Sequence, residues 1–178
     1  MKKTSLTALG GVIAALSLAV MFLAGMIPGL TYIVPAFTGL LLILPLSEEK
    51  KKSFTLLIYL AVSLLTLFLL PDKEISLLYI FFFGYYPILF SVLEGRNRVF
   101  SWTLKIAVFN GSMILVYELL KYIFHIPVEN MDLFGKWTFT VLLLTGNVVF
   151  ILYDRVLNGF MLLYRRKYSG KVRKLFGK

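Results

Sequence analysis

The chain has 178 residues, 59% of them hydrophobic, with a mean hydropathy of +0.84 and a formal net charge of +10. That apolar fraction exceeds what one buried soluble core takes up, so composition specifies an integral membrane protein. There is no cysteine and one histidine, His125, which excludes disulfides and thiol redox chemistry and leaves metal catalysis almost without ligands.

Lys2 and Lys3 precede the apolar run Leu6 to Ile27. It is longer than a usual signal core and a second run follows at once, so it is expected to be a retained span. Gly11, Ala15 and Ala19 recur at every fourth residue, with Gly10 and Ala14 alongside. They give one smooth helix face that suits close packing, either inside the chain or on a separate subunit. The tight Pro28, Gly29 connection leads to Leu30 to Leu46, a second span punctuated by Pro35, Gly39 and Pro45 and expected to kink. Tyr32 near its start is either an interfacial anchor or part of a mobile cap.

Ser47 to Ser53 is dense in lysine and reads as cytoplasmic. Phe54 to Leu70 is a featureless third span ending at Pro71, and the Asp72, Lys73, Glu74 connection lacks a positive excess, which fits the outside. In the fourth span, Ile75 to Leu93, the stretch Gly84, Tyr85, Tyr86, Pro87 falls near the centre. Proline there kinks the helix and frees a carbonyl. The two tyrosine hydroxyls need partners within the bundle, whether as cavity lining or as simple core packing.

After the basic loop Glu94 to Arg98 comes Trp102 to Phe124, the stretch on which the polar argument centres. Lys105, Asn110, Glu118 and Lys121 lie inside this fifth span, where a charged side chain costs roughly 2.5–3.5 kcal/mol on insertion scales. Helical spacing puts Asn110, Tyr117 and Lys121 on one stripe, with Glu118 beside it. Glu118 and Lys121 can pair as a neutral structural unit or line a substrate pocket. The connection Ile126 to Gly135 is acidic on balance and fits the outside. Trp137 opens the last span, in which Thr140, Asn147 and Asp154 share a face. Asn147 is positioned to meet Asn110 across the bundle, and Asp154 is expected near the inner surface. A basic tail from Tyr164 suits anionic headgroups or a cytoplasmic partner.

The expected fold is therefore all-α: a single domain over residues 1–178, with six transmembrane helices, both termini cytoplasmic, and every basic cluster on the same side. A multi-pass protein of a bacterial cell membrane follows. No P-loop, nucleophile triad, paired metal-binding aspartates or histidine pair is present, so neither an enzyme nor a cofactor or metal site is expected, and nucleic acid is not an expected partner. Active transport would need an ion gradient or a separate motor.

Six spans in under two hundred residues, the first-helix residues Ala8, Gly11, Ala15 and Ala19, and the Pro28 to Pro35 corner together resemble the substrate-binding S components of energy-coupling factor (ECF) transporters. The likeness covers the whole chain in architecture and is concentrated in residues between Thr4 and Leu42, with glycine in place of alanine at the start of the small-residue face. It implies uptake of a vitamin or similar micronutrient, with a transmembrane coupling subunit and two cytoplasmic ATPase subunits as partners. In that family the small-residue face docks on the coupling subunit, the first outer loop acts as a lid, and later helices form an outer pocket. Carried over, Gly11, Ala15 and Ala19 match the docking face, Tyr32 the lid, and Glu118, Lys121 and Asn147 the pocket, whose walls here would be completed by Tyr85, Tyr86, Asn110 and Tyr117. The cell-shape protein MreD is similar in size, span count and hydrophobicity, so a membrane scaffold without transport activity is the alternative.

Overall fold

In lipid, a chain this apolar satisfies its backbone by forming helices. The computed structural model describes residues 3–27, 29–49, 52–125, 137–164 and 166, and every regular element among them is helical. In chain order these are α1 (Lys3–Ala24), α2 (Ile33–Leu41), α3 (Ile43–Glu49), α4 (Lys52–Leu69), α5 (Lys73–Leu78), a π-helical turn (Tyr79–Phe83), α6 (Tyr86–Leu93), α7 (Arg98–Tyr122) and α8 (Thr138–Leu163). Lys50, Lys51, the connection 126–136 and most of the basic tail, on which part of the expected topology rests, lie outside the described residues.

Among the described residues five segments are long and apolar enough to cross a membrane: Leu6–Ala24, Lys52–Leu69, Lys73–Leu93, Arg98–Tyr122 and Phe139–Leu163. The second expected span is shorter. Ile33–Ser47 is apolar, but at a rise of 1.5 Å per residue it reaches only about 22 Å against a hydrocarbon core of roughly 30 Å. It is also divided at Leu42, between α2 and α3. Pro45 explains the division, because it has no N–H for the Leu41 carbonyl one turn earlier and its ring crowds that carbonyl. Gly29, at a φ of +91°, makes the turn that leads into this pair of short helices.

The fourth span is the centre of the bundle. Within Lys73–Leu93, 61% of the most apolar window is buried, against 22% for Arg98–Tyr122, so the fifth span, for all its polar residues, lies toward the periphery. Asp72 caps α5 by accepting from the Glu74 and Ile75 amides at 2.9 and 3.3 Å. Lys73 Nζ donates to the Leu67 and Leu70 carbonyls at 3.0 and 2.9 Å and so closes the end of α4. One tight turn thereby finishes one helix and starts the next.

Among the described residues three apolar clusters surround the central span, the smallest joining Leu77 and Leu78 to Val116 and Leu120 of α7. On one side Tyr79 and Ile75 pack with Leu9, Ile13 and Met21 of α1 and Ile58 and Val62 of α4. On the other, Phe82, Tyr86 and Phe90 pack with Phe109 of α7 and with Phe150, Tyr153 and Leu157 of α8. The α4 span is less featureless than its sequence: Thr55, Ser63 and Thr66 are buried on its inward face.

Candidate functional site

The central span breaks where the sequence places Gly84 to Pro87. The Gly84 amide skips the Ile80 carbonyl and donates to Tyr79 O at 2.8 Å, which is the π-type pairing. Ile80 O is then taken by Tyr59 of α4, whose hydroxyl donates to it at 2.7 Å. The break thus supplies an acceptor that a neighbouring helix uses. Gly84 makes the approach feasible, since a Cβ at that position would lie 2.6 Å from Tyr59 Cδ2. Gly39 acts alike on the opposite side, where a Cβ would collide with the Phe83 carbonyl. Pro87, lacking an N–H, leaves that same carbonyl without its helical donor.

Below the break, Tyr86 points into a buried polar cluster. Its hydroxyl donates to Asp154 Oδ1 at 2.5 Å, and Lys105 Nζ donates to the same oxygen at 2.6 Å. The Lys105 ammonium also sits 4.1 Å from the centre of the Phe90 ring and 5.4 Å from that of Trp102. Three elements, α6, α7 and α8, therefore meet at one carboxylate. Asp154, expected near the inner surface, is 4% exposed and enclosed by the bundle. Removing two charges from water costs several kcal/mol per ion, which their attraction offsets only when geometry and hydrogen bonds are good. The second bond from Tyr86 and the aromatic faces around the ammonium meet that need.

Asn110 and Asn147 meet as their positions suggested. Each amide nitrogen donates to the other's oxygen, at 3.0 and 2.9 Å, and also to the carbonyl one turn earlier in its own helix. The pair sits on the α7–α8 seam. Along it, Tyr117 packs on Phe139 with ring centres 4.4 Å apart, and Phe109 stacks on Phe150 at 4.8 Å. Moving from Asn110 toward Lys105 along α7 matches moving from Asn147 toward Asp154 along α8, as antiparallel neighbours require.

The remaining expected pocket residues are dispersed. Tyr85 bonds Ser112 of α7 at 3.0 Å, apart from the buried Tyr86. Glu118 is exposed on the outward side of α7, and Lys121 is half-buried with its ammonium 5.9 Å from the Tyr122 ring. Among the described residues no ion pair joins Glu118 to Lys121. The inward face of α7 instead carries Ser101, Lys105, Phe109, Val116 and Leu120. Tyr32 is exposed at the start of α2, and its phenol is pushed above its ordinary range by desolvation, then by its hydrogen bond to Glu74. Thr31, next to it, reaches the Asp72 carboxylate at 3.5 Å, so the connection after α1 rests on the start of the central span.

Gly11, Ala15 and Ala19 are all exposed, and a Cβ at Gly11 would meet nothing within 4 Å. The residues that α1 buries are Leu6, Leu9, Gly10, Ile13, Ser17, Met21 and Ala24, so Gly10, alone of the small residues named with this face, is buried, against Phe54 and Ile58 of α4. The small-residue face therefore points away from the bundle. Beside it an apolar groove is lined by Leu18, Ala19, Phe22, Leu69 and Leu70.

Of the Lys105–Asp154–Tyr86 cluster only Tyr86 belonged to the expected site. A signal for it existed: once Asn110 is set against Asn147, antiparallel register brings Asp154, the one acidic residue of the last span, near Lys105 of the fifth. No protein-family model matches the chain, and neither does any curated protein or solved structure.

Proposed function

We propose that the chain is the membrane-embedded, substrate-binding subunit of an ECF-type transporter, taking up a vitamin or similar small micronutrient while separate ATPase subunits supply the energy. The observation that carries this reading is the outward small-residue face of α1, Gly11, Ala15 and Ala19. A helix face without bulk gains little from lipid, whose tails are as apolar as leucine, but lets a second helix approach closely enough for backbone-to-backbone packing. In this account six spans cross a bacterial cell membrane with both termini inside, the short Ile33–Ser47 segment being the second. The partners are a transmembrane coupling subunit and two cytoplasmic ATPases.

The ligand in this reading enters near the α7–α8 seam, where Asn110, Tyr117 and Asn147 stand, and Tyr32 on the connection after α1 belongs to the lid. Amides that hydrogen-bond each other can exchange that pairing for a ligand's polar groups at modest cost, because one set of hydrogen bonds replaces another. Affinity purification from native membranes tests the assignment. Recovery of a coupling subunit with two ATPases is the expected result.

A scaffold role of the MreD kind is favoured by one observation: the buried charges neutralise one another and aromatic rings fill the space around them. Recovery of envelope-building proteins without ATPases would support it instead.

A further inference from the structure

We propose that Asp154, Tyr86, Phe90 and Trp102 form a binding site for a primary ammonium group, occupied in this structure by the side chain of Lys105 itself. The inference does not depend on the transport reading.

Each component is one that ammonium recognition calls for. A carboxylate oxygen receives the ammonium at 2.6 Å, giving a short charge-assisted bond. The Tyr86 hydroxyl donates to that oxygen and fixes the direction in which the carboxylate faces. Phe90 presents its ring 4.1 Å from the nitrogen and Trp102 lies at 5.4 Å, both within the range in which a cation is drawn to an aromatic face. The charged group is enclosed, with 9% of the Lys105 side chain exposed. These parts come from α6, α7 and α8, so the site is made by the fold and not by a local sequence.

A buried ion pair stabilises a bundle little more than well-packed apolar residues of the same volume. Charged groups inside membrane spans are expected instead at sites where something binds or moves. Lys105 lies about 10 Å along α7 from Arg98 at the helix start, and the proposal requires its flexible stem to carry the ammonium toward that end, as lysines near span ends do. The carboxylate and its aromatic walls would then face a free amine. The ligand class is a small primary alkylammonium or a larger molecule presenting one.

Removing the tethered occupant tests this. Purified Lys105→Ala protein should gain several degrees in unfolding midpoint when n-propylammonium chloride replaces sodium chloride at equal ionic strength. Propanol, which has the same reach but no charge, should give no such gain, and Lys105→Ala/Asp154→Asn should lose the response to the amine. An equal response to propanol, no response in folded Lys105→Ala protein, or a response that survives Asp154→Asn would overturn the proposal. If Lys105→Ala does not fold, Lys105→Cys carries the test, because the chain has no other cysteine. An aminoethyl thiosulfonate should then modify it faster than the neutral ethyl reagent, after normalisation to a free thiol, and Asp154→Asn should remove the preference. Equal normalised rates would contradict the site.

Discussion

Lys105 Nζ lies 2.6 Å from Asp154 Oδ1, joining α7 to α8 through side chains that are 9% and 6% exposed. Removing one member leaves the other charged, buried and unmatched. Lys105→Met or Asp154→Leu alone is therefore expected to destabilise the bundle by about 3–5 kcal/mol, while the Lys105→Met/Asp154→Leu pair loses much less. Unfolding midpoints of the four proteins in one detergent give the comparison. Additive losses would show that the two residues do not act as a pair.

The two close approaches at the helix break predict a glycine hierarchy. Gly39→Ala drives a Cβ into the Phe83 carbonyl, which is backbone and cannot turn aside, and Gly84→Ala meets the Tyr59 ring and the Tyr79 carbonyl. Each should cost about 1–3 kcal/mol. Gly111→Ala, whose Cβ meets nothing within 4 Å, should be neutral or slightly stabilising because alanine is the better helix former. Equal effects at all three positions, measured by thermal unfolding, would refute the close packing around the break.

Asn110 and Asn147 satisfy each other, so losing either amide strands part of its partner. Asn110→Leu and Asn147→Leu should each destabilise by about 0.5–2 kcal/mol, with the double variant less affected than the sum. The cycle reads the seam directly. If the pair is also where a ligand enters, both single variants should lose substrate binding even where folding is retained.

Topology supplies a further expectation. A reporter fused after Lys52 or at the C-terminus should report the cytoplasmic side, because the basic residues of the intervening loops gather there. An external signal at either site would contradict the six-span arrangement with both termini inside.

How far the sequence reached differs from element to element. The helical spans were visible because unbroken apolar runs allow no other backbone solution in lipid. The Asn110–Asn147 contact was visible because two amides in apolar helices need partners. Asp154 was read from its own helix alone, and its enclosure by Lys105 and Tyr86 depends on how α6, α7 and α8 pack, which one helix does not reveal. The polar stripe of α7 was inferred from its own periodicity, but which stripe turns inward is decided by α5, α6 and α8, and they select the face of Lys105 and Phe109. The proline in the central span announced a break. It did not say that Tyr59, from a span without evident features, would bind the carbonyl released there.

The claim most exposed to experiment is that the face of Gly11, Ala15 and Ala19 serves a partner and not the bundle. Substituting Ala15 by leucine adds bulk where the residue is exposed. The unfolding midpoint of the isolated protein should stay within the range of ordinary surface substitutions, about ±0.5 kcal/mol, while co-purification of the coupling subunit from native membranes is lost. An Ala15→Leu protein that unfolds early, or that still brings down its partner in full, would contradict the account.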